Sequence, residues 1–588
     1  MTSRTDHQPS IAGSAQDADA ATLAEGGPTA VAGGAPGFTL PAPAGDMVPD
    51  QFSPVPVWST AARQAEINEL NRTALAKFSA QDYGAAIDLL SQVVNRCPDA
   101  FAAHGNYAIA LRAAKRAAEA EAHARRAVAL HPDYAPGYKM LAELLTERRD
   151  IHGALAAYER LVEREPANIA AHNNASLLLR KLGKLDEAQA AIARASALDP
   201  HNSLIRFNML MIKRDDTVLS EATALCRQSL ERQPTSPEIL TNLAVCLQFT
   251  GHYDEAVETL ERVVALDPGH REAGFNLALL LLLRGDFAQG WDKYEQRWRL
   301  LEVTKPNLAQ PEWDGDDLGG RTILLFAEQG FGDTIQCLRY VPSVAARAGR
   351  VILYVERPLV RLAASLAGNV VILPKGARLP PFDVWCPMLS LPRLCQTGAE
   401  TIPPAPYLQP RPAVAERWRR RLDGLHGMKI GLAWGGSPHH VNDYRRSIDL
   451  ERLKPLLNVP GASFVSLQVG PRAGELVALP AGGIVDLSPE LHDFAETAGA
   501  IANLDLVIGV DTAVVHVAGA VAKPVWVMLP FSPDWRWMLE RNDSPWYPSL
   551  RLYRQPAPGD WGSVIEHVAA DLARLVAKHA AAAQTTTA

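Results

Sequence analysis

The sequence has no excess of positive charge. Its 58 Lys and Arg residues are outnumbered by 65 Asp and Glu residues, which leaves a formal net charge of −7. A protein that binds nucleic acid needs clustered cations to neutralise phosphates. The basic run RWRRR at 417–421 is short and is better explained as a solvated helix face. The composition therefore disfavours nucleic acid as a partner.

Long apolar segments are also missing. A membrane-spanning helix needs about 20 apolar residues, and the run LALLLLL at 277–283 is far shorter. The N-terminal segment carries acidic side chains where a secretory signal peptide would have its apolar region. We therefore expect a cytoplasmic protein that does not cross a membrane.

The sequence lacks paired cysteines and metal-ligand spacings. Its cysteines form no CxxC pair, and the adjacent His439 and His440 have no second ligand cluster at a suitable distance along the chain. We predict reduced, mostly buried thiols and no metal site. The six cysteines are Cys97, Cys226, Cys246, Cys337, Cys386 and Cys395.

Composition divides the chain into five regions. Residues 1–57 are rich in Ala, Gly, Pro, Ser and Asp, which predicts a disordered arm, and the tail 581–588 is read in the same way. Eleven of the twelve tryptophans lie at Trp291 or beyond, so the architecture should change near that residue. The predicted regions between arm and tail are 58–300, 301–425 and 426–580.

The region 58–300 contains an internal repeat of 34 residues. A proline recurs at this spacing, and an alanine lies twelve residues before each proline. The prolines are Pro98, Pro132, Pro166, Pro200, Pro234 and Pro268, and the alanines are Ala86, Ala120, Ala154, Ala188, Ala222 and Ala256. The pattern resembles the tetratricopeptide (TPR) repeat of paired helices. We predict an α-solenoid of about seven units.

Asparagine recurs at one position of these repeats. An asparagine amide can both donate to and accept from a peptide backbone, so a row of them would suit an extended protein segment lying in the solenoid groove. The row resembles the asparagine ladder of the TPR superhelix in O-GlcNAc transferase. The alternative is that each asparagine caps or bridges neighbouring helices. The predicted ladder consists of Asn106, Asn174, Asn208, Asn242 and Asn276.

After residue 320, short apolar strands alternate with helical segments, which is typical of parallel α/β domains. One series lies at 322–327, 351–355, 370–373 and 383–386, and a second at 429–434, 463–469, 483–487, 505–509 and 525–529. We predict two Rossmann-like sheets that face each other across a cleft. Ligands in such folds bind beyond the carboxyl ends of the strands.

Three turns after predicted strands carry candidate site residues. In AEQGFGDTIQ (327–336), Gly330 and Gly332 allow close approach of a ligand to the backbone. Asp333 is either a helix cap or a carboxylate facing the cleft, where it could accept a proton from an attacking hydroxyl.

The second turn is WGGSPHHVNDYRRSIDL (434–450), which contains Gly435, Gly436 and Ser437. We predict that an amphipathic helix begins at RRSIDLERLKPLL and that its first amides form an anion site with Arg446 and Ser447. Arg445 is expected to be solvent-facing or structural.

The third turn is GVDTAVVHVAGA (509–520). Asp511 and Thr512 lie at the start of a helix of small residues and are predicted to contact sugar hydroxyls or phosphate. His516 is either a packing residue or a neighbour of the donor phosphates. Further along, the aromatic residues Trp535, Trp537, Trp546 and Tyr547 could stack on a base or an acceptor, or pack in a core.

Six motifs of the second half carry a family resemblance, namely GFGDT, GLAWGGSP, RRSI, SLQVGP, LDLVIGVDTAVVHVAGA and DWRWMLERNDSPWYPSLRLYRQ. They resemble the catalytic region of TPR-linked bacterial glycosyltransferases. That region is itself similar to the ADP-heptose heptosyltransferase family. The resemblance implies a GT-B fold and inverting, metal-independent transfer from a nucleotide sugar, with no cofactor. It assigns the general base to Asp333, a phosphate contact to Arg446 and donor contacts to Asp511 and Thr512. Ala513 departs from the glycine of heptosyltransferases, which weakens heptose as the sugar.

Among proteins of this layout, the chain looks most like TPR-tethered flagellin glycosyltransferases. That resemblance implies transfer to Ser or Thr of flagellin, and a CMP-activated nonulosonic acid as donor. One alternative is a heptosyltransferase-like enzyme that acts on a lipid or polysaccharide. Another is a TPR scaffold whose catalytic domain is vestigial.

Overall fold

The computed structural model describes residues 61–587, except for 149, 201, 213–218, 301–304, 439, 441 and 480–482. The predicted arm 1–57 therefore lies outside the described residues. The tail prediction is wrong over most of its length, because a helix runs from Trp561 to Thr587. Alanine has the highest helix propensity, and the alanine-rich end continues the amphipathic helix before it.

In the described residues of the first half, fourteen helices form seven antiparallel pairs. They are α1 (Ala61–Ser79), α2 (Tyr83–Arg96), α3 (Phe101–Ala113), α4 (Ala117–Leu130), α5 (Ala135–Glu147), α6 (Ile151–Arg164), α7 (Ile169–Lys181), α8 (Leu185–Leu198), α9 (Ser203–Ile212), α10 (Leu219–Arg232), α11 (Pro237–Phe249), α12 (Tyr253–Leu266), α13 (Arg271–Arg284) and α14 (Phe287–Tyr294). The six repeat alanines are fully buried, as expected where two helices pack closely. The predicted solenoid is confirmed.

The asparagine ladder is not a surface feature. Asn106, Asn208, Asn242 and Asn276 are at most 3% exposed, so a peptide in the groove cannot reach their amides. Asn106 donates to Asn71 at 2.9 Å and Asn208 donates to Asn173 at 2.8 Å, each joining neighbouring repeats. The half-buried Asn174 donates to the Tyr158 hydroxyl at 3.0 Å. These amides satisfy polar groups between packed helices, which is the bridging alternative.

The second half contains two parallel sheets. The strands are β1 (Thr322–Phe326), β2 (Arg350–Val355), β3 (Val370–Pro374), β4 (Val384–Pro387), β5 (Met428–Ala433), β6 (Ala462–Ser466), β7 (Val485–Asp486), β8 (Leu506–Val510), β9 (Val525–Leu529) and β10 (Leu550–Arg554). Their orders are β3-β2-β1-β4 and β10-β9-β8-β5-β6-β7. The two predicted strand series are confirmed, and β10 is an edge strand that the sequence analysis missed.

Helices precede, connect and follow these strands. They are α15 (Arg297–Leu300), α16 (Phe331–Cys337), α17 (Val341–Ala345), α18 (Val360–Ala363), α19 (Leu391–Leu394), α20 (Pro412–Arg421), α21 (Asp443–Arg446), α22 (Lys454–Leu457), α23 (Phe494–Ala502), α24 (Ala513–Ala520) and α25 (Trp561–Thr587). None of the helices in the described part of the chain combines the length and apolar character that a bilayer crossing requires.

The helix predicted to begin at Arg445 does not exist in that form. The single turn α21 ends at Arg446, and Ser447 has extended backbone angles (φ −84°, ψ 147°). The Ile448 amide then donates to the Trp434 carbonyl at 2.9 Å, which holds the chain against the end of β5. This pairing interrupts the predicted helix, so Arg446 and Ser447 follow a helical turn instead of starting a helix.

The four aromatic residues of the 535–547 segment are core residues. Trp535, Trp537, Trp546 and Tyr547 are at most 3% exposed, which rules out stacking on a ligand. Trp291 of the last repeat packs edge-on against Trp535, with ring centroids 5.2 Å apart. Such aromatic pairs contribute about 0.5–1.5 kcal/mol beyond their burial. The end of the solenoid and the second sheet therefore share a core.

Candidate functional site

A cavity of about 1520 Å³ lies between the two sheets. Its walls combine the turns after β1, β5 and β8, which the sequence analysis singled out, with residues of the sixth repeat. The predicted site residues on its wall are Gly330, Gly332, Asp333, Gly436, Ser437, Arg446, Asp511, Thr512 and His516. Ser447 is not on this wall, and neither is any asparagine of the predicted ladder.

Asp333 is held by two different contacts. Its Oδ2 accepts from the Gly330 amide at 2.9 Å, so the carboxylate caps α16 from the third helical position, whereas the N-cap residue is Gly330. Its Oδ1 forms an ion pair with Arg536. Burial raises the pKa of Asp333, and the Arg536 guanidinium acts in the opposite direction. The carboxylate is thus both a cap and part of the cavity wall.

Arg536 is a site residue that the sequence analysis missed. It is 3% exposed, contacts Asp333 and donates to Asp534 Oδ1 at 2.8 Å. Burial works against its charge, but the Asp534 and Asp333 carboxylates outweigh burial and raise its pKa. The only signal in the sequence was a charged Asp-Trp-Arg-Trp segment amid aromatic residues.

His516 lies beside both halves of the cavity. Its Nδ1 is 2.9 Å from the Tyr547 hydroxyl, and its Nε2 is 3.9 Å from Asp511 Oδ1. Burial, together with the charges of Arg536, Arg339 and Arg446, lowers the pKa of His516 well below its usual value. The ring is therefore neutral at pH 7. A Cβ atom at Gly332 would come within 2.9 Å of the ring, so this close packing across the cleft requires glycine.

Asp511 lies at the end of β8, next to Thr512. Burial raises the pKa of Asp511 to about 6, Asp534 adds to this effect, and the cations Arg446 and Arg536 oppose it. Thr512 is the N-cap of α24, yet its hydroxyl makes no capping hydrogen bond. Both side chains thus lie on the cavity wall, where a ligand could use them.

Replacing Asp511 with asparagine should stabilise the fold, relative to wild type, as pH rises. The pKa of Asp511 is about 6 in the folded state and about 3.9 in the unfolded state. The stability that Asp511 contributes is therefore lost as pH rises from the lower of these two values to the higher. The asparagine side chain does not titrate, so the gain over wild type should reach on the order of 3 kcal/mol above that window. Urea unfolding at a series of pH values measures the difference.

The neutral substitution Thr512→Val is the matched control, because it should change stability by an amount that does not depend on pH. A difference between Asp511→Asn and wild type that stays constant from about pH 4 to pH 7 would contradict the assigned pKa.

The glycine turn after β5 does not offer free amides. The Gly435 amide donates to Gln468 Oε1 at 2.9 Å, and the Gly436 amide donates to the Ser447 hydroxyl at 3.0 Å. The anion site predicted from the first amides of a helix beginning at Arg445 is also wrong, because that helix is absent and the Ile448 amide donates to the Trp434 carbonyl. Arg446 remains on the cavity wall, with its Nε 3.2 Å from Asp443 Oδ1.

Gly436 is required by its neighbour. A Cβ atom at this position would come within 2.6 Å of the Arg446 guanidinium. The absence of a side chain at Gly436 therefore lets Arg446 lie across the turn. Its guanidinium places a positive charge at this end of the cavity.

Glu328 is another acidic residue on the cavity wall, and the sequence analysis did not consider it. Its Oε1 accepts from Arg297 at 3.0 Å and from the Leu389 amide at 3.1 Å, and its side chain is fully buried. Burial raises the pKa of Glu328 to about 7.

Among the described residues, no group of three or more His, Cys, Asp or Glu side chains is arranged to hold a metal ion.

The fold and the cavity define a helical-repeat protein joined to an α/β region with a charged interdomain cleft. Models of the tetratricopeptide repeat match residues 71–135, 139–203 and 219–280. The model of glycosyltransferase family 9 (heptosyltransferase) matches residues 471–528, a stretch that includes Asp511, Thr512 and His516. The chain is thus similar to TPR repeats over most of its first half and to glycosyltransferase family 9 over residues 471–528.

Several curated proteins share sequence with the chain. Protein FlbA of Caulobacter vibrioides is 28% identical over 485 residues, which cover 76% of this chain and 80% of FlbA. Protein O-mannosyl-transferase TMTC3 of Homo sapiens is 26% identical over 223 residues, which cover 36% of this chain and 24% of that protein. The family matches and the similarity to FlbA support a TPR-linked glycosyltransferase.

Solved structures of TPR proteins are similar to part of the chain. One is YrrB, described as a TPR protein with an unusual peptide-binding site, which is 19% identical and matches 31% of this chain and 95% of its own, with a TM-score of 0.25.

Proposed function

We propose that the protein is a protein O-glycosyltransferase of the GT-B type. It transfers a sugar from a nucleotide-activated donor to a Ser or Thr hydroxyl of a polypeptide held by the solenoid, with flagellin as the acceptor. The observation that carries the proposal is the shared cavity, in which Asp333, Arg446 and Asp511 from two parallel sheets lie together with residues of the sixth repeat. A scaffold alone has no need for this arrangement of buried charge.

The donor is proposed to bind against the second sheet. Ligands of parallel α/β sheets bind beyond the carboxyl ends of the strands, where β5 and β8 place Arg446, Asp511 and Thr512. The planar guanidinium of Arg446 suits two phosphate oxygens. The Thr512 hydroxyl and the Asp511 carboxyl are suited to sugar or phosphate oxygens. A CMP-activated nonulosonic acid is the donor that the resemblance to flagellin glycosyltransferases favours.

The acceptor is proposed to enter from the first sheet, where Asp333 lies. The ionised Asp333 carboxylate takes the proton of the acceptor hydroxyl, and the oxygen attacks the anomeric carbon from the face opposite the phosphate. The bond between that carbon and the phosphate oxygen breaks, and its electron pair stays on the phosphate. Arg446 stabilises the charge that develops there. This single displacement inverts the anomeric centre and is proposed to proceed without a metal.

Intact-mass spectrometry tests the proposal directly. Purified protein is incubated with flagellin monomer and with CMP-, UDP-, GDP- and ADP-sugars, and flagellin should gain the mass of one or more sugar residues with one donor class. Flagellin from cells that carry Asp511→Ala should lack the glycan found in wild-type cells. An unchanged flagellin mass in both experiments would contradict the proposed acceptor. If lipopolysaccharide from the Asp511→Ala cells migrates differently from that of wild-type cells, a lipid or polysaccharide acceptor is favoured. If the purified protein turns over none of the donors, a scaffold is favoured.

A further inference from the structure

The sixth repeat reaches the cavity at the end of its first helix. Gln248 and Phe249 are the last two residues of α11, and both lie on the cavity wall. Phe249 is 4% exposed. The solenoid therefore forms part of the wall of the cleft.

Phe249 contacts the turn after β5 through Arg445. The Cζ atom of Arg445 lies 3.7 Å from the centroid of the Phe249 ring, and Arg445 is 9% exposed. A cation over an aromatic face is held more strongly when water is excluded. The prediction that Arg445 is solvent-facing is wrong, because its side chain is buried on the cavity wall. This contact joins a helix of the solenoid to α21.

Arg445 and Arg446 belong to the same single helical turn. The Ser447 amide donates to the Asp443 carbonyl at 2.8 Å, which closes this turn, and Arg446 Nε lies 3.2 Å from Asp443 Oδ1. A displacement of Arg445 therefore displaces Arg446 as well. Misplacement of a binding group by about 1 Å can cost roughly 100-fold in rate, so the anchor of this turn matters for the cleft.

We propose that Phe249 is a positioning residue, through which the solenoid holds Arg446 in place for the donor phosphate. The solenoid then has two roles, since it captures the acceptor and also completes the donor site. This inference rests on the proposed function, because it takes Arg446 as a ligand of the nucleotide donor.

Calorimetric titration of the full chain with CMP, UDP, GDP and ADP identifies the nucleotide that wild type binds. For that nucleotide, Phe249→Leu should raise Kd about tenfold, because Arg446 is no longer held in place for the phosphate. Phe249→Tyr retains the ring and should restore binding. In transfer assays, Phe249→Leu should raise the donor KM, which a general loss of folded protein would not do. It should also lower kcat, because Arg446 stabilises the charge that develops on the phosphate.

Tyr138→Leu is the matched control, because Arg164 lies 4.8 Å from the Tyr138 ring in the third repeat, outside the cavity wall. It should leave Kd unchanged. Combining Phe249→Leu with Arg445→Met should be no worse than either substitution alone, since both remove one contact.

Two results would overturn the inference in different ways. If wild type binds a nucleotide and Phe249→Leu binds it equally well, the positioning role is contradicted and the proposed function stands. If wild type binds none of the four nucleotides and turns over no nucleotide sugar, the proposed function is contradicted, and the donor role of this contact with it.

Discussion

Asp333→Asn is expected to lower kcat for sugar transfer by about 10²–10⁴-fold, the usual contribution of a general base. The substitution preserves the helix cap, because the asparagine side-chain oxygen can still accept from the Gly330 amide, which Asp333 Oδ2 binds at 2.9 Å. It removes the ion pair with Arg536, which keeps Asp534 as its other partner. The amide cannot take a proton from the acceptor hydroxyl. Initial rates at saturating donor, followed by intact-mass spectrometry of the acceptor, measure the effect.

Asp314→Asn is a suitable control for this substitution. Asp314 is exposed and accepts from the Asp316 amide at 3.1 Å in a turn that is not part of the cavity wall. Its replacement should leave kcat unchanged. An Asp333→Asn enzyme with a rate close to that of wild type would exclude Asp333 as the base and direct attention to Asp511 and Glu328, two other acids on the cavity wall.

Arg536→Met should have the second large effect, on both pH dependence and stability. Arg536 opposes the effect of burial on Asp333, so its removal should raise the pKa of that carboxyl further. The proposed base must be ionised, and the acid limb of the rate profile should therefore move to higher pH. Rates of transfer between about pH 5 and pH 9 measure this shift.

The same substitution leaves Asp333 and Asp534 in the cleft without their cation. Breaking a buried ion pair in this way typically costs about 3–5 kcal/mol, which chemical denaturation can detect. Arg227→Met is the control, because Arg227 pairs with Glu255 on the surface at 2.8 Å and such pairs contribute at most about 1 kcal/mol. Adding Asp333→Asn to Arg536→Met should recover part of the lost stability. Unchanged stability and an unchanged acid limb would contradict the role given to Arg536.

The parts of the fold that follow a local sequence pattern were predictable from the sequence. A period of 34 with buried alanines reports contacts within one helix pair, and alternating apolar strands report a parallel sheet. The turns that follow β1 and β8 were also predictable as cavity walls, because the carboxyl ends of parallel strands lie at one edge of each sheet.

The asparagine row shows where periodicity stops. A repeat position determines which helix face carries Asn208, but whether this face is covered depends on the neighbouring repeat. In the structure Asn173 lies 2.8 Å away and the amide is buried. The prediction for the turn around Ser447 was wrong for a similar reason. The hydrogen bond from the Ile448 amide to the Trp434 carbonyl takes the place of the helix that the sequence pattern indicated.

The sequence by itself thus determined the solenoid, the two strand series and the positions of Asp333, Asp511 and Thr512 at strand ends. Only the tertiary structure decided the electrostatics of the site. Arg536 meets Asp333 across 203 residues of chain, and Phe249 of the solenoid meets Arg445 of the second sheet. Such contacts depend on how separate elements pack in space, and no local pattern of residues encodes them.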